Sequence, residues 1–146
     1  MTSKLALALS LTASAALIAG TAMAADGGVK LRATMTGAAE RPGPGDADGT
    51  GTATFRVNPG QNQVCYTLTV ASIEPATAAH IHIAPVTDPG PVVVPLVAPT
   101  SGTSSGCATV TRALALALIK NPAAYYVNVH NAPFPAGAVR GQLTKG

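Results

Sequence analysis

The sequence predicts an all-β fold, an antiparallel β-sandwich of the Greek-key, immunoglobulin-like kind with about eight strands and one short helix. Three observations predict it. From Val29 onward apolar residues recur mostly with period two, and β-branched types fill the alternate positions. Fifteen glycines and 12 prolines cut a chain of 146 residues into short stretches. From Val29 onward only one stretch, near 112–120, is built from strong helix formers.

The chain opens with a segment that belongs to export. Residues 1–24 carry Lys4, then an uncharged run from Leu5 to Gly20, then the small-residue pattern Ala22-Met23-Ala24, and read as a secretory signal peptide cut before Ala25. The run is shorter than the roughly 20 residues that cross a bilayer. Cleavage leaves residues 25–146 as one domain, secreted or periplasmic, with no membrane span.

The strands follow in order. Val29 to Thr36 is the first, and the Gly/Pro/Asp stretch Arg41 to Gly49 is a surface loop. In Thr52 to Val57, Ala53, Phe55 and Val57 share one face while Thr52, Thr54 and Arg56 share the other, and Asn58-Pro59-Gly60 turns the chain. Val64 to Val70 then sends Val64, Tyr66, Leu68 and Val70 inward and Cys65 outward, completing a hairpin. Ala78 to Ile83, Val92 to Leu96, Cys107 to Thr111, Tyr125 to His130 and Ala138 to Leu143 follow, with a Gly/Ser/Thr loop from Thr100 to Gly106. Arg112 to Lys120, rich in Ala and Leu and stopped by Asn121-Pro122, predicts a helix of two turns.

Cys65 and Cys107 are the two cysteines, and export takes them where thiols oxidise. Both fall on outward parity, which makes a bridge between their strands geometrically reasonable. Neither has the neighbours that a metal site or a catalytic thiol needs. The pair is therefore read as a structural disulfide.

Chemistry concentrates in the three histidines. His80 and His82 share one face of their strand, and Tyr126, Asn128 and His130 share one face of theirs, so pairing the two strands brings three imidazoles together. An H-x-H on a strand places two ring nitrogens where a single zinc or copper ion can take both. Asp88, six residues after His82 in a Pro/Gly loop, is the carboxylate expected nearby. The other reading makes His80, His82 and His130 structural pins that hydrogen-bond carbonyls, Asn128 or Asn131.

Several functions are excluded by what the chain contains. Nine Lys and Arg against 6 Asp and Glu, in no run, give little to neutralise phosphates, so no nucleic-acid binding is expected. No nucleophile elbow, zinc-protease helix, P-loop or dinucleotide glycine pattern occurs, and four of the five acids Glu40, Asp46, Asp48, Glu74 and Asp88 sit beside Gly or Pro in loop-like sequence. No catalytic residue is assigned.

Separated motifs then fall in a familiar order: Met35-Thr36-Gly37-Ala38-Ala39-Glu40, Gly49-Thr50-Gly51-Thr52-Ala53, Ala79-His80-Ile81-His82, Gly90-Pro91-Val92-Val93-Val94-Pro95-Leu96, Tyr125 to His130, and Phe134 to Leu143. Over Lys30 to Lys145 the chain resembles a CHRD (chordin-type) domain protein of the secreted microbial kind, departing chiefly in Ala84-Pro85 after His82, where a glycine is common. The resemblance implies a small all-β domain outside the cytoplasm of poorly defined biochemical role, and with no catalytic group found in the sequence the expected role is binding or structural. The alternative is a copper- or zinc-binding protein that uses His80, His82 and His130, with redox or metal-handling work. The motifs also suggest what Glu40 and Arg140 do. They form a carboxylate–guanidinium pair that fastens the terminal strands, or Arg140 faces the histidines and receives an anion. Partner and oligomeric state are left open.

Overall fold

The computed structural model describes residues 27–146, so the expected leader, residues 1–24, lies outside the described residues. Nine strands are present: β1 (Val29–Thr36), β2 (Thr50–Asn58), β3 (Gln63–Ala71), β4 (Ala76–Ile83), β5 (Val92–Leu96), β6 (Thr103–Thr109), β7 (Tyr125–Asn131), β8 (Val139–Gln142) and β9 (Thr144–Lys145). One helix, α1 (Arg112–Lys120), lies between β6 and β7. The helix holds the predicted bounds. Thr111 caps it by accepting from the Leu114 amide at 3.1 Å, and Ala115 and Leu118 are its buried residues.

All strand pairs are antiparallel and follow one path, β5-β4-β7-β8-β1-β2-β3-β6, with β9 added on β1. The expected division into two separate sheets is therefore not seen. Two four-stranded halves exist, but they join where Thr36 of β1 meets Arg140 of β8, and β9 reinforces the corner. The outer margins nearly close the wrap into a barrel. Ser104 Oγ donates to Val97 O at 2.7 Å, and Val97 N donates to Tyr66 Oη at 2.8 Å. A strand that finds partners on both sides hides its edges, as β1 does here.

The period-two reading of the core holds strand by strand. Leu31 and Met35 of β1, Phe55 of β2, Leu68 of β3, Ile81 of β4, Val94 of β5 and Val127 of β7 are nearly fully buried between the halves. One boundary is corrected. The strand expected over Cys107–Thr111 begins at Thr103 and ends at Thr109, so most of the supposed Thr100–Gly106 loop is strand. Thr69, Thr67 and Cys65 of β3 pair with Thr103, Ser105 and Cys107, and that ladder outweighs a turn-like composition. At the other end Thr111 is taken by the helix cap. Cys65 and Cys107 are direct partners and are disulfide-bonded.

Candidate functional site

The outer face of β4, β7 and β8 is where the histidines meet. In register, His82 stands opposite Tyr126, His80 opposite Asn128 and Ala78 opposite His130, so His130 reaches His80 on the diagonal. A bulge between Ala76 and Ala78 resets parity before the H-x-H, which keeps both imidazoles outward while Ala79 and Ile81 stay in the core. His80 Nδ1 lies 3.2 Å from His130 Nε2, and one ring nitrogen from each of His80, His82 and His130 falls within 4.8 Å of the others. Asp88 is not in this group. It is exposed in the β4–β5 loop, where Thr87 Oγ1 donates to its carboxylate at 2.8 Å.

Two backbone carbonyls set the tautomers. His82 Nδ1 donates to Gly90 O at 2.7 Å, and His130 Nδ1 donates to Pro135 O at 3.0 Å. With the proton held on Nδ1, each ring turns the lone pair of Nε2 toward the cluster. His80 Nδ1 then donates to His130 Nε2. The His82 Nε2 atom is buried with no hydrogen-bond partner. Burial, and the neighbouring imidazoles, lower the pKa of His80, and burial foremost lowers that of His130 despite its bond to Pro135. Both shifts favour the neutral ring, which is the form that ligates metal.

Tyr126 organises the centre of this face. Its ring stacks on His82 with centroids 4.7 Å apart and planes 5° from parallel, while the Arg140 guanidinium sits 3.5 Å from the same ring centroid. Because β4 and β8 flank β7, the phenol is held between imidazole and guanidinium. Four bonds tie the β4–β5 loop over the face. His82 donates to Gly90 O, Gly90 N donates to Tyr126 Oη at 3.2 Å, Arg140 Nη2 donates to Pro85 O at 2.8 Å, and Gln142 Nε2 donates to Ala84 O at 2.7 Å. A Cβ at position 90 would collide with the Ile83 carbonyl, so glycine is what lets this loop present its carbonyl to His82.

Glu40, Asn128 and Arg140 lie under the covering segments, each at most 2% exposed. Burial pushes the Glu40 carboxyl up to about 7, against the pull of Arg140 and a hydrogen bond from Asn128. Glu40 Oε1, Asn128 Oδ1 and Arg140 Nη1 have no hydrogen-bond partner in the protein. Gly137, at φ +149°, leaves room for that carboxyl, since a Cβ there would run into it. The expected Glu40–Arg140 pair is not formed as a hydrogen bond: the two groups feel each other's charge, but Glu40 Oε1 and Arg140 Nη1 are left without partners, and Arg140 lies against Tyr126, which stacks on His82. What strand parity misses is the lid: Gly90 O, Pro135 O and Gln142 come from Gly/Pro-rich loops and from a different strand, where alternation gives no signal.

The family model described as CHRD domain matches residues 31–143. No curated protein and no solved structure matches the chain.

Proposed function

The chain belongs to the CHRD-domain family, and from that premise we propose that it is a non-catalytic binding domain, working outside the cytoplasm, whose site is a copper or zinc ion held by His80, His82 and His130. The observation that carries this is His82 Nε2, a buried nitrogen lone pair without a partner, set among imidazole nitrogens by a carbonyl on the far side of its own ring. Three nitrogens at about 2.0–2.1 Å from one ion stand about 3.3 Å apart in tetrahedral geometry. The 3.2 Å between His80 and His130 already has that value, so His82 is the ring that must move. His80 exchanges its Nδ1 proton for one on Nε2, a change of tautomer without change of charge. Neutral imidazoles with no thiolate or carboxylate favour zinc or copper over the hard cations. Export is supported by the family and by the disulfide. A Greek-key course is supported by the three connections among β1 to β8 that leave the hairpin path, β3 to β4, β5 to β6 and β6 to β7.

Titration of untagged protein with Zn²⁺ and Cu²⁺ at pH 7.5, read by calorimetry and elemental analysis, tests the site. One ion per chain is expected, with nitrogen couplings from three imidazoles in the copper spectrum, and His82→Ala should abolish stoichiometric uptake. Binding of neither ion tighter than micromolar refutes it. A structural reading has its own support, because the same bonds from His82 to Gly90 O and from His130 to Pro135 O pin two loops. Under that reading His82→Ala lowers the melting temperature equally with and without added ion.

A further inference from the structure

The opposite half of the sheet leaves its outer face bare, and the register arranges that face in rows. Thr34, Thr52, Thr69 and Thr103 lie side by side across β1, β2, β3 and β6, and the adjacent row runs Arg32, Thr54, Thr67, Ser105. Beyond it Lys30 stands directly opposite Arg56, which is engaged within the protein. The row hydroxyls are exposed and make no hydrogen bond within the described protein.

Two grooves run end to end along these strands. One, of about 460 Å³, is lined by Lys30, Arg32, Thr54 and Thr67, and the next, of about 270 Å³, by Thr34, Thr52 and Thr69. Neither is lined by an Asp or Glu side chain. Phe55 and Tyr66, which also line the first, are buried and turn their rings inward, so the track has no exposed aromatic platform for stacking bases and no large apolar side chain to enter a lipid surface.

We propose that this track docks a linear acidic polysaccharide, with the cations of Lys30 and Arg32 taking its carboxylates or sulfates and the threonine rows taking its sugar hydroxyls. Successive outward positions on a strand are about 6.5–7 Å apart and neighbouring strands about 4.8 Å, so hydroxyls and cations recur along the chain's path at the scale of a sugar ring. An extended polymer fits an open track better than a compact ligand does, because the two grooves continue one another rather than closing around a single cavity. The proposal is independent of any ion at the histidines.

The test is calorimetric titration of the disulfide-bonded protein with alginate oligomers, with polyglutamate, neutral dextran and single-stranded DNA as comparisons, at low and high salt. Alginate is expected to bind at low salt, at least tenfold tighter than polyglutamate or DNA, with dextran weaker still. The doubles Lys30→Gln with Arg32→Gln and Thr52→Val with Thr67→Val should each weaken it about fivefold or more, while Arg112→Gln with Lys120→Gln leaves it unchanged. Circular dichroism melting shows whether each variant is folded, and all replaced side chains are exposed. Equal affinity for polyglutamate or DNA, equal loss in the Arg112 and Lys120 control, or no binding of alginate at low salt overturns the proposal.

Discussion

The two outer faces of this sheet are built by the same alternation and end in opposite states. On β4, β7 and β8 the outward residues include His82, Tyr126, Asn128 and Arg140, which are buried, beside half-buried His80, His130 and Gln142, whereas on β1, β2 and β3 they include Thr34, Thr52, Thr67 and Arg32, which are exposed. Position in the pleat does not decide this. Covering loops do, and they are held down by the side chains they cover, as Tyr126 and His82 hold Gly90. A covered polar face must satisfy its atoms or leave them for a ligand, while a bare one has water for every hydroxyl. The orphaned atoms accordingly fall on one side: Glu40, His82, Asn128, Arg140 and Gln142.

The bare half has no lid, but it carries a covalent link. Cys65 and Cys107 close a separation of 42 residues, for which chain entropy gives roughly 4 kcal/mol. Replacing both with alanine is expected to lower the unfolding free energy by about that amount in urea titration. Metal affinity at the histidines should be unchanged wherever the variant is folded. A loss of affinity in the folded variant would show that the two faces are mechanically coupled.

The next largest effect belongs to the covered face and to pH. Glu40, faced by Arg140, Arg41 and Asn128, titrates at about 7 when folded, against 4.5 for an unperturbed glutamate. A raised carboxyl binds its proton more tightly in the folded state. Its stabilising contribution is therefore complete below pH 4.5 and is lost as pH rises through about 7, a swing on the order of 3 kcal/mol. His80 and His130, whose values are lowered, act in the other sense, contributing above their ordinary value and losing it as pH falls. Comparing wild type with Glu40→Gln removes the histidines from the difference. The variant should gain relative stability between pH 5 and 8, and a difference independent of pH would mean that Glu40 is ionised in the folded protein throughout.

Much of this is legible in the sequence, and the limits are physical. Alternation finds the core face of each long strand, the helix bounds come from Thr111, the Ala/Leu run and Asn121-Pro122, and the outward parity of Cys65 and Cys107 matches their pairing. The histidines stand out because two short strands need only be neighbours to bring them together. Whether two halves stay apart or join depends on the single meeting of Thr36 and Arg140, residues far apart in the chain, which no local pattern carries. Lys30, Arg32 and Arg56 form no run, so spacing along the chain hides them as a cluster, yet hairpin register sets Lys30 against Arg56. The start of β6 escapes a local reading because Thr, Ser and Gly suit a loop until a partner strand is beside them.

The smallest expected effect is the sharpest for the comparison, since it sets one outward side chain on each face against the other. Tyr126→Leu removes the stack on His82 and the bond to Gly90 together, and outer partners of metal ligands are typically worth 10–100-fold in affinity. Tyr126→Phe keeps the ring and loses only the hydroxyl, so it separates stacking from loop closure: if the ring orients His82, phenylalanine restores most of the zinc affinity that leucine loses. Thr52→Val on the bare face removes a hydroxyl that water already serves, and should alter stability by less than about 0.5 kcal/mol and zinc affinity not at all. Were Tyr126→Leu as silent as Thr52→Val in zinc calorimetry, the covered face would owe its order to the loops alone, and His82 would need no support from its neighbour to point where it does.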